Sequence, residues 1–218
     1  MGFYIAEQTL KDIREQLSLH HEICGVLDIH DLEIEGTKMI IPSSTVFKGD
    51  SSGQKSCEVP KEEKSGRESP LLHDKEELKY HTHPISSYSY PSFEDLFSVM
   101  KRRSDGRSVS SFIFTKWGVW TLFPTDNKIE IKNIKFYEDK YNDNQNIRIF
   151  RRDTEVFKRS HQSKDVGDVA EYIWSYVEEV NKLFKKYIVI HLYTWEDIEK
   201  DYGKMKDTPF AEMVYFEV

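Results

Sequence analysis

Cysteine is scarce in this chain: there are two in 218 residues, Cys24 and Cys57, and neither belongs to a Cys-x-x-Cys pair. A structural zinc site closed by four protein ligands is therefore not signalled. Positive charge is not in excess either. With 31 Lys+Arg against 38 Asp+Glu the formal charge is -7, which gives no broad electrostatic case for nucleic acid as a partner. Long apolar runs are missing, and nothing approaches the roughly 20 residues needed to span a bilayer. The segment MGFYIAEQTLKDIREQL has no basic lead into an apolar core and no small-residue cleavage site. Ala6 stands where a myristoylation signal after Gly2 wants Ser or Thr. The expectation is an intracellular, cytoplasmic protein with two reduced cysteines and no membrane partner.

At 25.8 kDa the chain has the length of one domain, with room for a small appendage and an ordinary core. Residues 9–20 read as an amphipathic helix, and 23–29 as a buried strand that pairs with 38–41 across DLEIEGT. From 47 to 76 the composition turns to Ser, Lys, Glu and Gly with almost no apolar periodicity, a long polar loop, flexible or recognition-bearing. SSFIFTKWGVWTLF predicts two strands around a turn at 116–118; 128–137 continues the sheet and IRIF, 147–150, forms another strand. Residues 165–186 form the most periodic helix, with Val166, Val169, Ile173, Val177, Val180 and Phe184 at helical spacing. The strand YIVIHLYT, a short helix from Trp195 stopped by Gly203, and the strand MVYFEV follow.

The stretch that carries chemistry is YHTHPISSYSYPSFEDLFSVM, residues 80–100. If 78–83 is a strand, His81 and His83 share one face and Thr82 points to the other. Pro84 ends the strand, because it has no N–H to donate. A short loop then leads to a helix that begins near Ser92. Ser92 followed three residues later by Asp95, ahead of Leu96, Val99 and Met100, is a capping pattern, and capping alone explains both residues. It does not explain a pair of histidines two apart just before the cap. Two imidazoles and a carboxylate are the usual protein ligands of a catalytic zinc, whose fourth position is left to water. Such a site also needs a proton acceptor. Glu22, between the first helical pattern and the first strand, supplies the candidate, although a solvated glutamate in a helix-to-strand turn has the same sequence.

Taken together, Glu22-Ile-Cys-Gly25, then His81-Thr-His83-Pro84, then seven residues, then Ser92-Phe-Glu-Asp95, resembles the signature of the JAMM (MPN-type) metalloproteases over residues 1–125. That family consists of zinc isopeptidases and peptidases, many of which remove ubiquitin or similar modifiers; relatives that have lost the motif serve as scaffolds. The resemblance implies that His81, His83 and Asp95 bind Zn2+, that Glu22 acts as general base and then acid on the zinc water, and that Ser92 stabilises the oxyanion. It implies an α/β fold, a mixed, partly curled β-sheet flanked by helices, with conjugates of ubiquitin or a ubiquitin-like protein as partners.

The domain reading is a catalytic unit over 1–150, holding the loop 47–76, and a C-terminal helix-strand extension over 151–218 that completes the domain or binds a protein partner. The alternative function is a non-catalytic zinc-binding scaffold of the MPN type. Cys24 reads as a small core side chain, and His20, His21, His161 and His191 as groups outside the site.

Overall fold

Two long strands, β2 (Ile23–Ile34) and β3 (Thr37–Lys48), form the antiparallel hairpin expected from the pairing of 23–29 with 38–41. They run further than the sequence reading gave them. The computed structural model describes residues 2–34, 37–48, 76–85, 88–106, 108–159, 166–204 and 213–217. Nearly all of the polar stretch 47–76 lies outside that set.

The hairpin sits inside an eight-stranded mixed sheet. β4 (Glu76–Thr82) pairs antiparallel with β2 and parallel with β5 (Ser108–Thr115). β6 (Gly118–Pro124) follows β5 through a tight turn, and β7 (Ile188–Thr194) closes that side. On the other side β1 (Gly2–Ala6) lies parallel to β3, and β8 (Met213–Glu217) is the edge beyond it. The order is β7-β6-β5-β4-β2-β3-β1-β8. The partly curled sheet expected from the sequence is replaced by an open one, because the described residues of β7 and β8 form no ladder with each other. The rings of Tyr193 on β7 and Phe216 on β8 meet edge to face at 4.8 Å, a side-chain contact within the core on one face of the sheet.

Each face of the sheet buries its own core. One holds Leu78, Tyr80, Phe112 and Phe114, covered by α1 (Glu7–Glu15) and α6 (Trp195–Lys204). The other holds Ile113, Trp120, Leu122 and Ile190. It is covered by α2 (Phe93–Ser104), α3 (Ile134–Asp143), α4 (Gln145–Arg159) and α5 (Val166–Phe184). Period two assigns β4 between them: Leu78 and Tyr80 face the first core, and His81, opposite Ile113, faces α2.

Two strand predictions are corrected. Lys128 to Tyr137 does not continue the sheet but runs through a 3-10 turn into α3, and IRIF lies inside α4. The open edge of β6 is taken by β7, so neither segment has a ladder to join. The alternation of Ile147 and Ile149 is also compatible with a helix, whose spacing buries Ile147 and Phe150 against α5.

Candidate metal centre

His81 is the last residue but one of β4, which ends at Thr82, and His83 follows just beyond the strand. The two rings emerge on one side, and their Nε2 atoms lie 3.1 Å apart. Helix α2 brings the third group: Asp95 Oδ1 is 3.2 Å from His81 Nε2, and Asp95 Oδ2 is 3.6 Å from His83 Nε2. A tetrahedral zinc bound at 2.0–2.1 Å places neighbouring ligand atoms about 3.4 Å apart. All three separations fall around that value. Among the described residues these three form the one cluster of His, Cys, Asp and Glu able to hold a metal ion.

The capping reading of Ser92 and Asp95 holds together with the metal reading. The Asp95 amide donates to Ser92 Oγ at 3.2 Å and the Ser92 amide donates to Asp95 Oδ2 at 2.7 Å, a complete capping box. The Ser92 hydroxyl also donates to Asp95 Oδ2, at 2.8 Å. Capping thus helps to orient the carboxylate, whose Oδ2 accepts from the Ser92 amide while both oxygens face the histidines. The same bond commits the Ser92 proton to Asp95.

A carbonyl sets the tautomer of His83. Its Nδ1 lies 3.1 Å from Tyr88 O, so Nδ1 carries the hydrogen and Nε2 keeps its lone pair. Burial pushes the His83 ring down to about 4, leaving it neutral near pH 7. Burial pushes His81 down too, but the charges of Asp95 and Glu22 outweigh it, and His81 ends above its ordinary value. For Asp95, burial works upward and is overturned by His81, His83 and the Ser92 amide, which hold it well below the usual carboxylate range.

Glu22 immediately precedes β2, in which Cys24 lies opposite His81. Antiparallel register therefore carries Glu22 toward His83. Burial raises its carboxyl from 4.5 to about 7, with His81 opposing the rise and Asp95 adding to it. A carboxyl with that value can take up and release a proton at neutral pH.

Two groups that hold this arrangement were not singled out from the sequence. Thr82, fully buried, turns its hydroxyl away from the ligands and joins the backbone of Ile23: it accepts from the amide at 2.9 Å and donates to the carbonyl at 3.4 Å. The residue next to Glu22 is thereby tied to the residue between the two histidines. Tyr88 contributes through its carbonyl, which no sequence pattern marks. Gly25 shows why a small residue follows Glu22. A Cβ there would lie 2.4 Å from the Tyr80 ring, which is buried across the strand.

His20 is exposed, His21 half-buried, and His191 exposed on β7; none joins the cluster. His161 and Cys57 lie outside the described residues. The expectation of two reduced cysteines is corrected at Cys24, which is buried and disulfide-bonded and offers no free thiol. That expectation came from features of compartment, whereas pairing depends on the approach of two sulfurs. No described helix is long and apolar enough to cross a membrane. The chain matches no protein-family model, and none of the curated proteins searched matches it.

Proposed function

We propose that the protein is a zinc-dependent hydrolase of peptide or isopeptide bonds, of the JAMM kind, acting on conjugates of ubiquitin or a ubiquitin-like modifier. The observation that carries the reading is the convergence of His81 Nε2, His83 Nε2 and the Asp95 carboxylate within 4.8 Å of one another. Glu22 supports it, because its carboxyl interacts electrostatically with His81 and Asp95 and stands near 7. The substrate class rests on the motif resemblance, Glu22 with Gly25, His81-Thr82-His83-Pro84, then Ser92 and Asp95.

His81, His83 and Asp95 are the residues that would hold the zinc. When bound, the ion acidifies water and polarises the carbonyl to be attacked. Glu22 accepts a proton from the attacking water and returns it to the amine nitrogen as the carbon–nitrogen bond breaks. Ser92 steadies the negative carbonyl oxygen once its hydroxyl turns from Asp95 Oδ2, where it now donates at 2.8 Å.

The test is Glu22→Gln, which keeps the shape of the side chain and removes the base. Zinc content is expected to stay at the wild-type level, and cleavage of a responsive conjugate to fall about a hundredfold to ten-thousandfold. Cleavage at the wild-type rate by the zinc-loaded variant overturns the role of Glu22. A wild-type protein that holds zinc and cleaves nothing in a panel of ubiquitin-like conjugates is a scaffold instead.

A further inference from the structure

We infer that Tyr176, on α5, is a positioning residue for the metal centre; the inference rests on the reading of His81, His83 and Asp95 as ligands. The chain passes from the end of β4, where His81 and His83 stand, to the helix that carries Asp95. The last residues of this connection, 88–91, present their carbonyls inward. Tyr88 O faces His83 Nδ1 at 3.1 Å, Ser89 O accepts from Trp120 Nε1 at 2.9 Å, and Pro91 O accepts from Tyr176 Oη at 2.7 Å. Pro91 is the residue before the Ser92 cap, so the Tyr176 bond sets where α2 begins and hence where Asp95 stands.

The direction of the hydrogens makes Tyr176 the end of a relay. Since Tyr176 gives its proton to Pro91 O, the Tyr141 hydroxyl, 3.2 Å away, must donate to Tyr176 Oη. Both tyrosines are buried, at 0% and 1% exposure, so neither hydroxyl has water to replace a lost partner. The Tyr176 ring is locked as well: Phe150 stacks on it at 4.5 Å, and Tyr90 and Trp120 pack at 5.6 and 5.8 Å. A rigid donor on α5 thus fixes the loop from behind, as outer partners of metal ligands do. This gives a helix outside the recognised motif a part in the site.

The experiment compares zinc affinity, and the visible absorption of the Co2+-substituted protein, in wild type, Tyr176→Phe, Tyr141→Phe and Tyr187→Phe. Tyr176→Phe removes one oxygen and keeps the stacked ring. Its zinc Kd is expected to rise about tenfold, within the range known for groups that orient metal ligands, and its Co2+ bands to shift. Tyr141→Phe is expected to move both readouts less and in the same direction. Should Tyr176→Phe fail to fold, this variant carries the test. Tyr187 is the control, because its hydroxyl pairs with Tyr137 at 3.2 Å, away from the loop. Its loss is expected to lower the thermal transition with Kd and Co2+ spectrum unchanged. A wild-type protein that binds neither ion shows that the site reading itself is wrong. A wild type that binds, with Tyr176→Phe and Tyr141→Phe giving its Kd and its spectrum, overturns the positioning role alone.

Discussion

Thr82 and Ile23 are joined twice, the hydroxyl of Thr82 accepting from the Ile23 amide at 2.9 Å and donating to its carbonyl at 3.4 Å. The link joins the end of the strand that holds His81 to the start of the strand that Glu22 precedes. Thr82→Val keeps the β-branched shape and removes both bonds, leaving a buried amide short of a partner. Stability is expected to fall by about 1–3 kcal/mol in chemical denaturation. Because Glu22 then loses its anchor while the ligands keep theirs, kcat should fall at unchanged zinc content. Loss of zinc in step with kcat would show that Thr82 supports the ligands rather than the base.

The raised carboxyl of Glu22 has a cost in the metal-free protein. Its value goes from 4.5 to about 7 on folding, so the folded chain holds this proton more tightly than the unfolded chain. The associated stability is present below 4.5 and is lost as pH rises through about 7. Glu22→Gln removes that loss. Without metal, the variant is expected to be more stable than wild type at pH 8, by about 1–2 kcal/mol once solvent screening is allowed for. The two should converge toward pH 4.5, the ordinary value of a glutamate carboxyl. Parallel stability curves across this window would remove the case for a strained general base.

Zinc binding should release protons, and the ligands differ in what they contribute. At pH 7 His83, near 4, is already neutral with its Nε2 lone pair free, and Asp95, held low, is already ionised, so neither has a proton to give up to zinc. His81 lies above its ordinary value of 6.5, because Asp95 and Glu22 outweigh burial, so at that pH and below it mostly carries a proton that zinc must displace. Net proton release on zinc binding is expected at pH 6.5, where His81 is more than half protonated, with affinity rising as pH is raised from there. Glu22 adds to the release as the cation lowers its carboxyl. Calorimetry in buffers of different ionisation enthalpy measures the number, and a pH-independent affinity over this range contradicts the assignment.

Much of this arrangement was legible because the spacing of His81, His83 and Asp95 fixes geometry. Two positions along a strand put both rings on one face, and the Ser92 cap fixes where the helix delivers Asp95. The helix α5 and the strands β5, β6 and β7 were equally plain from periodicity. Lys128 to Tyr137 and IRIF misled, since a few alternating isoleucines fit a helix stripe as well as a strand, and only the occupied edge of β6 decides between them. Thr82, the Tyr88 carbonyl and Tyr176 could not be found from spacing at all. Each acts through a partner brought near by folding: Ile23, His83 and Pro91. The disulfide at Cys24 escaped for the same reason.

The central claim is that His81, His83 and Asp95 form one metal site, and elemental analysis of the purified protein tests it most directly. Wild type is expected to carry about one zinc per chain, as a site with three protein ligands and an open position would. His83→Ala and Asp95→Asn, each shown to be folded by circular dichroism, are expected to lose most of it. Wild-type zinc content in both variants would contradict the account, because no arrangement of this site binds zinc through these residues and is indifferent to their removal.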